Sequence, residues 1–280
     1  MIRHPHSGDD ARRLAEAGTV LLTQVGSGVH GTAVDGQDDR DELGLCLEPE
    51  EFVTGLARVR TPGGREIAFE QYELHTAWAR PRGLAERSGP GDLDVVVYSA
   101  RKWARLALAG NPTVLLPLWV PDAEVVRITP AGAELRAHAD RFATRAAGRR
   151  FLGYLRSQRA ALRGERGRRA AARARRSGAG YDAKHAVHAL RLGVQGLELL
   201  RTGRVTLPVP APELDALRAV RRGEWELRDV EAWIAELESD LDRAVATSTL
   251  PEQADRAWLD GWLARSHQAF WSGREVPSPS

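Results

Sequence analysis

The spacing of apolar and polar residues divides the chain into a first part of mixed helices and strands and a second part of long helices. In the first part, apolar runs bounded by glycine and proline indicate strands, and apolar residues three or four positions apart indicate helices. One helix, four strands and two further helices are predicted, in the order 9–17, 19–25, 40–49, 65–77, 92–99, 99–110 and 112–119.

Beyond about residue 125 the apolar spacing is helical throughout, and we expect no strand there. The sequence therefore predicts an α+β fold with a domain over 1–125, a helical domain over 126–275 and a flexible tail over 276–280. The helices of the second part are predicted over 130–148, 149–176, 181–202, 212–222, 228–247 and 252–271.

Composition narrows the class of protein. The chain has 280 residues, of which 42% are hydrophobic and 28% charged, so it has enough apolar material for one large or two small cores. Cys46 is the only cysteine, which excludes an intramolecular disulfide and a zinc cage built of thiolates. No apolar run reaches the roughly 18 residues of a membrane span, and the opening residues do not resemble a signal peptide. We therefore expect a soluble, cytoplasmic protein without a membrane partner.

Candidate chemistry begins where the first strand ends. Gly26 and Ser27 form a turn that would expose backbone N–H groups and a hydroxyl, which suits a phosphate chain. Asp39 and Asp41 follow, separated by one residue at the start of a strand, so their side chains project from the same face. Paired carboxylates favour Mg²⁺ or Mn²⁺, although an acidic loop exposed to solvent has the same composition.

A third carboxylate supports the metal interpretation. Asp92 and Asp94 lie in the apolar run 92–99, and Asp94 enters a segment that otherwise reads as a core strand. A charge at that position requires a partner or a metal ion.

In this order, a Gly-Ser turn, an Asp-x-Asp pair and a lone aspartate resemble the signature of the DNA-polymerase-beta-like nucleotidyltransferase superfamily. The likeness extends over roughly residues 20–245 and implies a polymerase-beta-like palm, a mixed sheet with flanking helices, followed by an all-helical domain. The segments GSGVHG, DDRDELG, DVVVYSARKWARLALAGNPTVLLPLW and YDAKHAVHALRLGVQGLELLRTG are more narrowly similar to a bacterial branch of predicted nucleotidyltransferases linked to RNA repair.

The resemblance implies roles for the matching residues. Gly26 and Ser27 would hold the β- and γ-phosphates of a nucleoside triphosphate (NTP). Asp39, Asp41 and Asp94 would be catalytic and would bind two Mg²⁺ or Mn²⁺ ions. The branch usually has serine before the first aspartate, whereas this chain has Asp38, so the choice of ligands within 38–41 stays open.

Basic residues supply further candidates for phosphate binding. On the helix predicted over 181–202, Lys184, His188 and Arg191 share one face, although a solvated cationic face has the same pattern. Lys184 is one of only two lysines in the chain. The other, Lys102, would reach a triphosphate or form a salt bridge. The arginine-rich run from Arg159 to Arg176 is a candidate RNA contact or an ordinary solvated face.

These observations predict an enzyme that transfers a nucleoside monophosphate (NMP) from an NTP to an RNA 3′-hydroxyl and releases pyrophosphate. The RNA acceptor follows from the resemblance. Transfer to a hydroxyl of a protein or small molecule, and a non-catalytic module that binds nucleotide or RNA, remain alternatives. The sequence predicts no oligomeric state.

Overall fold

The computed structural model describes residues 4–33, 39–80, 88–162 and 181–273, and a five-stranded mixed sheet organises its first part. The described residues contain the strands β1 (Thr19–Val25), β2 (Arg40–Cys46), β3 (Val59–Arg60), β4 (Glu66–Ile67), β5 (Gln71–His75), β6 (Leu93–Ser99) and β7 (Val125–Ile128). The large sheet has the order β5-β6-β2-β1-β7, while β3 and β4 form a separate pair. β2 and β6 run parallel, and the other neighbours in the large sheet are antiparallel.

Helices flank the sheet and make up most of the later chain. Capping residues mark both ends of the helix Ala183–Thr202. Asp182 accepts hydrogen bonds from two backbone N–H groups at its N-terminus, and Gly203, with φ +74°, follows its last residue. The α-helices are α1 (Asp9–Gly18), α2 (Gly26–His30), α3 (Glu50–Val53), α4 (Ala100–Leu108), α5 (Pro112–Leu115), α6 (Pro130–Ala137), α7 (Arg145–Leu162), α8 (Ala183–Thr202), α9 (Glu213–Arg222), α10 (Leu227–Thr247) and α11 (Arg256–Trp271).

The chain forms two compact units. Unit 1 comprises Met1–Leu108, Val114–Ala139 and Asp255–Ser280, and unit 2 comprises Ala109–Thr113 and Asp140–Ala254. Both α6 and α11 therefore belong to unit 1, whereas the division expected from the sequence placed residues 126–275 together. Both segments of unit 2 lie between segments of unit 1 in the sequence.

The two faces of the sheet in unit 1 have different chemistry. Val95 and Val97 face a core that also contains Cys46 and residues of α1. Because side chains alternate along a strand, Asp94 and Tyr98 face the opposite side. The polar residues of the candidate site thus share a single face.

A buried polar network attaches α11 to the sheet of unit 1. Glu48 is fully buried, and its carboxylate accepts hydrogen bonds from the N–H of Ala100 (3.1 Å) and Nε of Arg101 (2.9 Å). Nε2 of His267, on α11, lies 3.1 Å from the same carboxylate. Burial by itself would raise the pKa of Glu48, but the hydrogen bonds from His267 and Arg101 outweigh it and hold the pKa below its ordinary value.

Unit 2 is helical in its described residues and contains close helix contacts made at glycine. A Cβ on Gly193 would lie 2.8 Å from Leu237, and a Cβ on Gly196 would lie 2.8 Å from Phe151. Such distances are shorter than normal carbon contacts, so any larger residue would force the helices apart.

The α+β class is confirmed, but α3 and β3 were not predicted and several boundaries were wrong. The strand predicted over 65–77 is divided into β4 and β5. The helix predicted over 130–148 ends at Ala137, and a 3₁₀ turn separates it from α7. The edge strand β7 was not expected, because only four residues form it and three of those are exposed.

Candidate active site

Three carboxylates meet at one end of the parallel strand pair in unit 1. Asp41 and Asp94 are direct register partners on β2 and β6, and Asp39 lies one residue before β2. One ligand oxygen from each of the three lies within 4.8 Å of the others, and all three residues are partly buried. The strand pairing therefore brings together the aspartates that the sequence singled out.

This donor set suits a divalent cation. Carboxylate oxygens are the ligands that Mg²⁺ and Mn²⁺ prefer. Around Mg²⁺, opposite oxygens are about 4.2 Å apart, because each lies about 2.1 Å from the ion. Oxygens within 4.8 Å of one another need only a small movement to share an ion, and a cation would offset their mutual repulsion.

The glycine turn is packed directly against this cluster. Gly26 has φ +81°, a conformation that residues with a Cβ rarely adopt. A Cβ there would overlap Oδ2 of Asp41 and lie 3.0 Å from its Cγ. Val25, just before the turn, is the register partner of Asp41. The Gly-Ser turn and the Asp-x-Asp pair therefore form one structural unit, and Ser27 is the next residue, in α2.

Sequence reasoning missed two residues that contact Asp94. Nδ1 of His75 lies 2.9 Å from one carboxylate oxygen, and the Ser88 hydroxyl donates to the other at 2.6 Å. His75 is the register partner of Asp94 on β5. Polar residues at alternate positions 71, 73 and 75 could have indicated a polar face on this strand. That spacing does not show that β5 pairs with β6 and places His75 opposite Asp94.

The other aspartate of this segment has a different environment. Asp92 precedes β6, and its carboxylate accepts hydrogen bonds from the Thr76 hydroxyl (2.9 Å), the N–H of Gly89 (2.9 Å) and Arg80 (2.6 Å). These contacts order the turn that leads into β6. Asp94, rather than Asp92, joins the cluster.

Lys102 lies toward the other end of β6. Its ammonium group donates to the side chain of Gln71 and lies 5.1 Å from the centroid of the Tyr98 ring. Tyr98 is four positions after Asp94, which corresponds to about 13 Å along a strand. Burial lowers the pKa of Lys102, partly offset by the charges of Glu70 and Glu73. Lys102 does not join the carboxylate cluster.

The basic residues of α8 belong to unit 2. Lys184 is exposed, whereas His188 and Arg191 are partly buried, and Arg191 donates to Gln195 at 3.2 Å. Burial and then the nearby Arg191 and Lys184 lower the pKa of His188 to about 3, and burial lowers that of Arg191 to about 10. The largest effects of charge on His188 come from the cationic Arg191 and Lys184, so this face favours an anion.

Only the beginning of the arginine-rich run is described. The Arg159 guanidinium pairs with Glu238 within unit 2, and Arg156 pairs with Glu238 and Asp242, each at 2.8 Å. The rest of the predicted RNA contact, Arg163 to Arg176, lies outside the described residues, as does Asp38.

No helix in the described ranges combines the length and the apolar character that crossing a bilayer requires.

The chain is similar to a described protein family and to a solved structure. Residues 9–265 match the family described as RlaP, the RNA repair pathway DNA polymerase beta family. A nucleotidyltransferase-like protein from Exiguobacterium sibiricum is a structural match at 12% identity, covering 94% of this chain and 75% of that chain. Its TM-score is 0.27. The curated proteins contain no significant match.

Proposed function

This chain belongs to the RNA repair pathway DNA polymerase beta family, and from that premise we propose that it is a metal-dependent terminal nucleotidyltransferase acting on RNA. In this proposal an NMP is transferred from an NTP to an RNA 3′-hydroxyl, and pyrophosphate is released. The observation that carries the chemistry is the cluster of Asp39, Asp41 and Asp94 beside the Gly26 turn.

The three aspartates would hold two Mg²⁺ or Mn²⁺ ions. When bound, such ions lower the pKa of an attacking hydroxyl and neutralise charge on a leaving pyrophosphate. Asp94 would orient the acceptor hydroxyl, because it extends from the strand beside the pair. Asp39 and Asp41 would hold the phosphate side of the substrate next to the Gly26 turn, whose glycine lets the backbone approach closely.

The triphosphate needs positive partners as well. The backbone of Gly26 and the hydroxyl of Ser27 would bind the β- and γ-phosphates. Lys184 and Arg191 would add positive charge, and His188, which is neutral because its pKa is lowered to about 3, would donate a hydrogen bond. Lys102 would contribute at longer range through its charge.

The RNA acceptor is supported by the family to which the chain belongs. Transfer to a protein or small-molecule hydroxyl would use the same carboxylates, so the acceptor has to be tested directly.

The decisive experiment incubates the full chain with each α-labelled NTP, Mg²⁺ or Mn²⁺, and a 5′-labelled RNA oligonucleotide. We expect extension of the RNA, and loss of extension in Asp39→Asn and Asp41→Asn. The matched control is Asp122→Asn, which removes the charge of an aspartate whose side chain is 97% exposed. Label moving to protein or a small acceptor would overturn the RNA assignment, and NTP binding without any transfer would indicate a binding module.

A further inference from the structure

The His75 ring is held in place on the polar face of unit 1. The ring centroids of His75 and Trp78 are 4.1 Å apart. The Trp78 ring is also stacked on the His4 ring, with 5.1 Å between their centroids. Oε2 of Glu73 lies 3.1 Å from Nδ1 of His4 and 4.0 Å from Nε2 of His75. The imidazole is therefore enclosed by an aromatic ring and a carboxylate.

The ring presents one nitrogen to the carboxylate cluster. Nδ1 of His75 lies 2.9 Å from Oδ2 of Asp94, a distance at which a protonated ring nitrogen and a carboxylate form an ion pair. The Ser88 hydroxyl donates to the other oxygen at 2.6 Å. An aspartate carboxylate rotates readily about its last torsion. The His75 ring nitrogen beside one oxygen and the Ser88 hydroxyl on the other together restrict the plane of the Asp94 carboxylate.

We propose that His75 is a positioning residue that orients Asp94 toward the divalent ion, through its Nδ1–H. Groups that hydrogen-bond a metal-ligating carboxylate set its orientation, and their loss typically costs 10- to 100-fold in metal affinity or activity. The inference rests on the proposed function for the catalytic use of that ion, but the effect on metal binding is independent of the acceptor. His75 acts through Asp94 and touches no substrate.

Three substitutions at this position separate a hydrogen-bond role from a packing role. His75→Asn keeps an N–H donor at the distance of Nδ1 from the backbone. His75→Gln places its donor one bond farther away, and His75→Ala removes it. The matched control is Leu74→Ala, because Leu74 is the next residue of β5, faces the opposite side of the sheet and is 37% exposed.

Mn²⁺ binding to the full chain is measured by electron paramagnetic resonance, with calorimetric melting of every variant. We expect His75→Ala to weaken Mn²⁺ binding 10- to 100-fold and His75→Asn to recover most of it, whereas His75→Gln recovers less and Leu74→Ala binds as wild type. In the transfer assay, kcat should fall in the same order, with a small change in KM for NTP at saturating Mn²⁺. If His75→Ala fails to fold, the contrast between Asn and Gln still decides the question.

The outcomes separate this inference from the proposed function. Wild-type Mn²⁺ affinity in His75→Ala, or equal affinity in Asn and Gln, overturns the positioning role even if the enzyme is active. If the wild type binds Mn²⁺ but transfers no NMP to any acceptor, the proposed function fails, and the ordered loss of Mn²⁺ affinity still supports His75. A wild type that binds no Mn²⁺ overturns both.

Discussion

Replacing Gly26 with alanine is expected to damage the carboxylate cluster of Asp39, Asp41 and Asp94 more than the fold. Gly26 has φ +81°, and a residue with a Cβ in this left-handed region loses about 1–2 kcal/mol of stability. The Cβ would also lie 3.0 Å from Cγ and 3.1 Å from Cβ of Asp41, whereas carbon atoms normally pack at about 3.5–4.0 Å. The Asp41 side chain therefore has to retreat by about 0.5–1 Å.

A displacement of that size matters at a reaction centre, because a misplacement of about 1 Å can lower a rate about 100-fold. We expect Gly26→Ala to lose about 1–3 kcal/mol in urea unfolding, to weaken Mn²⁺ binding at least tenfold and to lower NMP transfer about 100-fold. The measurements are urea titration followed by circular dichroism, Mn²⁺ titration by electron paramagnetic resonance, and the labelled-NTP assay.

Gly28→Ala is the matched control, two residues farther along the same segment. A Cβ on Gly28 would meet no atom within 4 Å, and its φ lies in the ordinary range. This variant should keep wild-type stability, Mn²⁺ affinity and transfer. If Gly26→Ala folds and its Mn²⁺ affinity is within twofold of that of Gly28→Ala, then Asp41 does not depend on the glycine and the reasoning is refuted.

Three further predictions concern the two units. Because the pKa of Glu48 is lowered, its contribution to stability is present above about pH 4.5 and is lost as the pH falls through the lowered pKa. Glu48→Gln should therefore cost about 2–3 kcal/mol at pH 7 and flatten the pH dependence of the free energy of unfolding in urea below pH 4.5. If that pH dependence is unchanged in the variant, it does not come from Glu48. Gly196→Ala should lower the free energy of unfolding in urea by about 1–3 kcal/mol, because its Cβ would overlap Phe151. Gly153→Ala should raise it by about 0.5–1 kcal/mol, because Gly153 is exposed on α7 and its Cβ would meet no atom. Equal effects of the two substitutions would contradict the close contact at Gly196. With a pKa of about 3 instead of the ordinary 6.5, His188 stays neutral in the folded chain, so its ¹³C NMR signals should not change between pH 8 and 5. The unfolded chain takes up this proton and the folded chain does not, so stability should fall as the pH drops from 6.5 toward 3. A titration of His188 near pH 6.5 would disprove its burial.

The carboxylate cluster could be predicted because its members lie at strand ends with regular spacing. Asp39 and Asp41 are two residues apart, and alternation alone places them on one face. Asp94 could be recognised as a charge in an apolar strand. The sequence did not reveal that β2 and β6 pair in parallel with Asp41 opposite Asp94, since register is set by contacts between distant segments.

The remaining differences have the same cause. His75 acquires its importance from its register with Asp94, and β7 is a strand because β1 offers it hydrogen bonds at Leu21 and Leu22. Val125–Ile128 by itself is too short and too exposed to be distinguished from a loop. The placement of α11 in unit 1 also depends on distant contacts, such as the hydrogen bond from the Trp262 indole to the carbonyl of Ala131.

The discontinuity of unit 1 has a consequence for synthesis on the ribosome. Glu48 and His267 are 219 residues apart in the chain, and all of unit 2 is translated between them. At about 5–20 residues per second, the nascent chain carries Glu48 for about 10–40 s before His267 is made. Unit 2 can therefore complete its helices first, and the sheet that carries the three aspartates gains α11 only after all of unit 2 has been translated. During that interval a chaperone or a protease would meet the sheet without α11.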